Sequence, residues 1–254
     1  MRLYILHLGN CYVDKGGVLT PGLDKGTWWT IPIVGYLIQT DDGKNILVDT
    51  GMDKDLIKDP EMLFGGTPFG EVLKVQMTDD DYVVNQLDKL GLKPDDIDIL
   101  VATHFHFDHA GNTRDFINSD IYVQKDCYED VMKGDNPGYP KATYDIPNLK
   151  WHIVDGDTEI APGVTLLKAP GHTPGHMAVL VDLPETGKMV IGIDTIYVQD
   201  NLDKDNWGAY SDPIAARASA KRVQEIAERD NAMLLYGHDP YQWETLKKAP
   251  EYYS

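Results

Sequence analysis

The 254-residue chain is expected to fold as an α/β (α+β) protein of mixed topology. Short apolar runs recur along its whole length, bounded by Gly, Pro, Asn or Asp, and they read as strands. Two stretches, opening at Thr78 and at Asp212, carry helix caps and helical spacing instead. The runs fall into two blocks, each leading to one of these helices, which fits two sheets packed face to face with helices outside. No repeat, low-complexity tract or linker breaks the order, so residues 1–254 read as one domain.

Residues 3–8 form the first expected strand. Gly16-Gly17, Pro21-Gly22 and Gly26 mark a long loop after it. Strands at 33–39 and 45–49 are joined by Asp41-Asp42-Gly43, a tight-turn signal, so the N-terminal region is expected to be antiparallel. Residues 52–70 read as irregular and carry Met62, Leu63, Phe64 and Phe69. Thr78 caps a helix with Asp79, Asp80 and Asp81 in its first turn. Val83, Val84, Leu87 and Leu90 are its apolar face, and Gly91 stops it.

A buried strand is expected at 97–102 and another at 121–124, followed by a short helix over 126–132. Asn136-Pro137-Gly138 and two further prolines make 134–147 a surface loop. Strands recur at 151–154, 164–167, 177–181 and 189–193. Asp212 caps the second helix, with Pro213 at its first position and Ala215, Ala218, Val223, Ile226 and Ala227 as its buried face. A last strand over 233–236 precedes His238.

Composition excludes some partners. Formal net charge is -18, from 41 acidic and 23 basic residues, which argues against nucleic acid or an anionic membrane. No run approaches the roughly 20 apolar residues of a membrane span, and His7 cuts short the N-terminal apolar run, so a cytoplasmic protein is expected. Cys11 and Cys127 form no C-x-x-C pair and read as free thiols.

The chemistry concentrates in Thr103-His104-Phe105-His106-Phe107-Asp108-His109-Ala110-Gly111, just past a strand. Three histidines and an aspartate fall within six positions, and His104 and His106 alternate, so both can point the same way. One such loop can supply two neighbouring ions with two ligands each. His172, Asp194 and His238 each stand just beyond another apolar run and complete the set. Nitrogen and carboxylate donors without cysteine suit Zn²⁺, and also Fe, Co or Mn. A chance histidine patch would not be followed by three further ligands at strand ends.

This H-x-H-x-D-H order, continued by His172, Asp194 and His238 and preceded by the turn Asp49-Thr50-Gly51, resembles the metallo-β-lactamase superfamily of dinuclear hydrolases. Leu47-Val48-Asp49-Thr50-Gly51-Met52, Pro170-Gly171-His172, Asp194 with Tyr197, and Gly237-His238-Asp239 bring it nearest the N-acyl-homoserine lactonases, almost end to end. The resemblance implies an αββα sandwich of two mixed sheets. It implies two divalent ions, one on His104, His106 and His172, the other on Asp108, His109 and His238, bridged by Asp194.

It further implies that a hydroxide shared by the ions opens a lactone ring. Tyr197 would donate to the oxyanion, and Asp108 would carry the proton to the leaving oxygen. Phe64, Phe107 and Phe69 would line the acyl pocket, bordered by Ala209 and Tyr210. Those lactonases often have a small residue where Tyr210 stands, so the tyrosine is expected to reshape the channel, as is the aromatic bulk of Trp28-Trp29. Asp49 would be the buried partner of a metal-bound histidine. His176 is expected to support its neighbours, and His7 and His152 to be structural. The expected partner is a small lactone, and the protein a monomer or homodimer.

Other lactonases of this fold, such as one acting on a pyridoxine-derived lactone, are the near alternative. Glyoxalase II-like thioesterases add a C-terminal helical domain, whereas 16 residues follow His238. Class B β-lactamases have cysteine at the position of Asp194, and flavodiiron proteins have glutamate at that of His106. A metal-binding relative without turnover is the reading from another class; retention of bridging and proton-transfer groups argues against it.

Overall fold

Both faces of the strands are apolar because both faces of each sheet are covered. The structure is a computed structural model and describes every residue except Asp135 and Pro137. β1 (Arg2–Asp14), β2 (Trp28–Gln39) and β3 (Asn45–Val48) form an antiparallel meander. β4 (Leu73–Gln76) pairs antiparallel with β1, while β5 (Ile99–Val101), β6 (Asp120–Gln124) and β7 (Lys150–Val154) continue in parallel from β3. The order is β4-β1-β2-β3-β5-β6-β7. The second sheet contains β8 (Thr158–Ala161), β9 (Val164–Lys168), β10 (Met177–Leu183), β11 (Gly187–Ile191) and β12 (Met233–Leu235), antiparallel until β12 joins β11 in parallel. These are the strands among the described residues.

Side-chain alternation divides the core. Leu3, Ile5, Ile46, Val48, Ile99 and Val101 of the first sheet share one cluster with Val164, Leu166, Val179, Val181, Met189 and Ile191 of the second. The alternate residues, among them Leu6, Leu47, Leu100, Leu167, Ala178 and Val190, face outward onto the helices. The helices are α1 (Lys15–Val18), α2 (Pro68–Val72), α3 (Val83–Asp88), α4 (Lys125–Val131), α5 (Gln199–Asp203), α6 (Pro213–Asp230) and α7 (Pro240–Thr245). Val83 and Leu87 of α3 and Val131 of α4 lie in the outer cluster, as do Ala216, Ala220, Val223 and Ile226 of α6. Helix, sheet, sheet and helix therefore stack in that order. Among the described residues no helix is long and apolar enough to cross a membrane.

Several sequence expectations need correction. β1 runs well past residue 8, because a register shift between His7 and Asn10, with Gly9 at φ 108, absorbs the break in the apolar pattern. The single helix expected from Thr78 is a short 3₁₀ turn and then α3. Asp81 Oδ2 accepts from both the amide and the hydroxyl of Thr78, and Tyr82 is extended at ψ 126. The first turns of α6 bury Ala216, Ser219 and Ala220 rather than Ala215 and Ala218, a one-residue rotation of the stripe. Residues 134–147 are not wholly a surface loop: Tyr139 and Tyr144 are buried in the outer cluster. Pro137 of the expected turn lies outside the described residues. Residues 52–70 are not irregular throughout, since a 3₁₀ turn (Lys54–Ile57) and the start of α2 fall there.

Asp81 also meets His7, whose Nδ1 lies 3.0 Å from its Oδ1, while His7 Nε2 lies 3.3 Å from Asn10 Oδ1. Burial disfavours a charged ring here, but hydrogen bonds to Asp81 and Asn10 outweigh it and raise the pKa above 6.5. The stabilisation is therefore complete below 6.5 and is lost as pH rises through the raised folded value. Melting curves across that range should show the wild type losing stability relative to His7→Gln; parallel curves would remove this pair from the pH dependence.

Candidate metal centre

Backbone stitching fixes the metal loop before any side chain acts. β5 ends at Val101, whose carbonyl accepts from Asp49 N at 3.0 Å. Thr50 N donates to His109 O at 2.6 Å, and Gly111 N donates to Gly51 O at 2.8 Å. The buried Asn112 side chain donates to the carbonyls of Thr50 and Met52. The Asp49-Thr50-Gly51 turn and the histidine loop are thus one unit. A Cβ on Gly111 would lie 2.2 Å from Asp53 N and 2.5 Å from Met52 C, both backbone atoms. Gly111→Ala is expected to destabilise the fold by about 3 kcal/mol; a melting temperature equal to wild type would show that the two loops can part.

Two donor sets converge there. In the first, His172 Nε2 lies 2.8 Å from His106 Nδ1, 3.0 Å from His104 Nε2 and 3.1 Å from Asp194 Oδ2. In the second, His109 Nε2 lies 3.6 Å from Asp108 Oδ2 and 3.4 Å from Asp194 Oδ1. His238 Nε2 lies 3.7 Å from Asp108 Oδ2 and 3.1 Å from Asp194 Oδ1. A tetrahedron of donors at about 2.0–2.1 Å from an ion has edges of about 3.4 Å, so both sets match a metal's coordination shell. Asp194 offers one oxygen to each.

The outer nitrogens are committed elsewhere. Asp49 Oδ2 lies 2.9 Å from His109 Nδ1 and accepts from the Thr103 hydroxyl at 2.8 Å, while Thr103 N donates to Asp49 Oδ1 at 3.0 Å. The same hydroxyl oxygen lies 3.1 Å from His104 Nδ1. One carboxylate therefore orients a histidine in each set, directly for His109 and through Thr103 for His104. His238 Nδ1 faces Pro32 O at 2.9 Å, and His172 Nδ1 faces the Tyr197 hydroxyl at 2.9 Å. With Nδ1 carrying the proton on these rings, Nε2 presents its lone pair inward. Asp49 (φ 60) and Ile193 (φ 48), which precedes Asp194, hold left-handed backbone that costs on the order of 1–3 kcal/mol each.

Burial and charge fit cations. Desolvation and neighbouring histidines hold His104 far below its ordinary pKa, and desolvation likewise dominates His172, so both rings are neutral. Burial opposes the charge of Asp194, yet His109, His238 and His172 together drive its pKa well below the carboxylate range. His109 Nε2 and Asp194 Oδ1 are buried without a hydrogen-bond partner. Orphaned donors and acceptors of this kind are rare unless something else satisfies them. The residues therefore fit two metal ions. His106 and Asp108 are the partly exposed members, so the mouth lies on their side.

Residues 30–238 match the family profile described as the metallo-beta-lactamase superfamily. The chain belongs to this superfamily. The N-acyl homoserine lactonase AiiA of Bacillus thuringiensis subsp. kurstaki is 35% identical over 251 residues, covering 99% of this chain and 98% of the relative. An N-acyl homoserine lactonase of a Bacillus sp is 38% identical over 257 residues, again covering 99% and 98%. A solved N-acyl homoserine lactone hydrolase with the product N-hexanoyl-L-homoserine at its catalytic metal centre superposes with TM-score 0.91 at 33% identity, covering 99% of this chain and 98% of that one. The αββα sandwich of the superfamily is the fold seen here.

The superfamily motif residues named from the sequence thus converge on one place. Tyr197 is buried beside them against His172. Phe107, Phe64 and Phe69 form an edge-to-face ladder with centroid spacings of 4.8 and 4.9 Å, leading from the metal loop to the surface, where Phe69 is 40% exposed. Phe64 also lines a cavity of about 110 Å³ with Pro60, Glu61, Leu73 and Val75. Ala209 is half-buried, and Tyr210 is stacked against Tyr197. His176 is fully buried, its ring 5.1 Å from that of His104, and His152 stacks on Tyr122. Thr103 and Asn112 match no ligand or catalytic motif in the sequence. Position alone marked Thr103, as the residue just before the first ligand.

Proposed function

We propose that this protein hydrolyses the ring ester of N-acyl homoserine lactones at a dinuclear centre, with zinc as the expected metal and iron, cobalt or manganese also suited to the donors. One observation carries the reading: Asp194 lies between two donor sets, with the Tyr197 hydroxyl at the edge of the first. The relatives named above as lactonases, similar over the whole length, support it. His104, His106 and His172 would hold one ion, Asp108, His109 and His238 the other, and Asp194 both. Ions so held would acidify a water to a pKa of about 7 and polarise a carbonyl oxygen.

The chain's own groups then divide the work. With Nε2 of His172 turned inward, its Nδ1–H donates to the Tyr197 oxygen. The Tyr197 proton is thereby free to point at the oxygen that becomes negative as water adds to the lactone carbonyl carbon. When the ring C–O bond breaks, the departing oxygen needs a proton. Asp108 is the partly exposed carboxylate of the cluster and can carry it from the attacking water. Phe107, Phe64 and Phe69 offer the acyl chain an apolar path, and Tyr210 narrows the space beside Tyr197.

Base uptake with acyl-homoserine lactones, pyridoxolactone, δ-lactones and thioesters, on protein of measured metal content, tests this. Fastest turnover of the acyl-homoserine lactones is expected. A thioester or unacylated lactone turned over faster would reassign the substrate.

A further inference from the structure

We propose that Tyr210 is a positioning residue that fixes the hydroxyl of Tyr197, acting from the turn that also grips His172. This rests on the assignment of Tyr197 as hydrogen-bond donor to the reacting carbonyl. Tyr197 N donates to the Tyr210 hydroxyl oxygen at 3.1 Å, and the two rings stack at 4.7 Å and 26°. Trp207 packs on Tyr210 at 5.4 Å, and Tyr210 N donates to Trp207 O at 3.2 Å. Asp205 Oδ1 accepts from Trp207 Nε1 at 2.8 Å, so this support is itself tied down. Tyr210 is only 5% exposed, and its single polar group is turned to the Tyr197 backbone.

The next residue holds the other half of the contact. Ser211 donates to the His172 carbonyl from its hydroxyl at 2.8 Å and from its amide at 3.3 Å. Tyr210 and Ser211 therefore hold Tyr197 and His172 respectively, and these two meet at 2.9 Å. The carbonyl of Tyr197 accepts from His238 N at 2.8 Å. Its backbone is thus pinned by a candidate ligand on one side and by Tyr210 on the other. Without the Tyr210 hydroxyl the buried Tyr197 N–H loses its partner, and the local backbone shifts to recover one. An ångström of drift at a donor aimed at a developing charge costs rate rather than substrate affinity.

The test is a double-mutant cycle on metal-loaded protein, with kcat, KM and metal content read for each variant. Tyr197→Phe should lower kcat about 100-fold. Tyr210→Phe, which keeps the ring stack, should lower kcat about tenfold with KM and two bound metals unchanged, and the double variant should match Tyr197→Phe alone. Hydrogen exchange in metal-free protein should show a faster Tyr197 amide in Tyr210→Phe, a readout independent of activity. If Tyr197→Phe lowers kcat but Tyr210→Phe does not, or if the two effects multiply, the positioning role is wrong while the function stands. If Tyr197→Phe leaves kcat unchanged, the mechanistic assignment of Tyr197 fails, and this inference with it. Should Tyr210→Phe fold poorly, Trp207→Phe perturbs the same support; a normal kcat there, with a normal Tyr197 amide, overturns the proposal.

Discussion

Asp194→Ala is expected to leave the protein folded but to lower lactone hydrolysis at least about 10³-fold, a barrier change of about 4 kcal/mol. The Asp194 carboxylate reaches both donor sets at close range. Its Oδ2 faces His172 and its Oδ1 faces His109 and His238. Removing it leaves each set with three protein donors and no shared one. Metal bound per chain should fall from two ions toward one. The site is built to admit this carboxylate closely: a Cβ on Gly237 would fall 2.8 Å from Asp194 Oδ1. An alanine variant that kept both ions and near-normal turnover would show that the bridge is dispensable.

Tyr197→Phe carries the second large effect, about 100-fold in kcat with little change in KM, since removing one donor to an oxyanion costs roughly 10²–10³. Both ions should stay bound, because the hydroxyl contacts His172 through Nδ1, the nitrogen turned away from the donor cluster. A phenylalanine there retains the stack on Tyr210. Unchanged turnover would remove Tyr197 from the chemistry. A loss of metal instead would make it an orienting group for His172.

The seven candidate ligands were legible because each sits at or just beyond the end of an apolar run, and because H-x-H-x-D-H is too dense to arise from a solvated patch. Spacing alone did not divide them between ions. The structure groups the donors by distance, His104, His106 and His172 in one set and Asp108, His109 and His238 in the other, and orients them through the outer hydrogen bonds of Asp49, Thr103 and Pro32, which join residues 54 to 206 positions apart. Such partners leave no local signature. The longer strands were legible and several short elements were not. β4 and β8 each contain only four residues, of which β4 buries two and β8 only Ala161. The break at Tyr82 was hidden for another reason. Thr78 carries a good cap signal, but its partner Asp81 is also drawn to His7 on a different element. Tyr210 could be noticed from the sequence as large where small residues are common, while its hydrogen bond to Tyr197 required the fold.

Metal stoichiometry measured against hydrolysis is the most direct test. Chelator-stripped protein, titrated with zinc while hydrolysis of an acyl-homoserine lactone is followed, should bind two equivalents and regain full rate as the second fills. Saturation at one equivalent or fewer, or undiminished hydrolysis by the stripped protein, would contradict a dinuclear centre on these seven side chains.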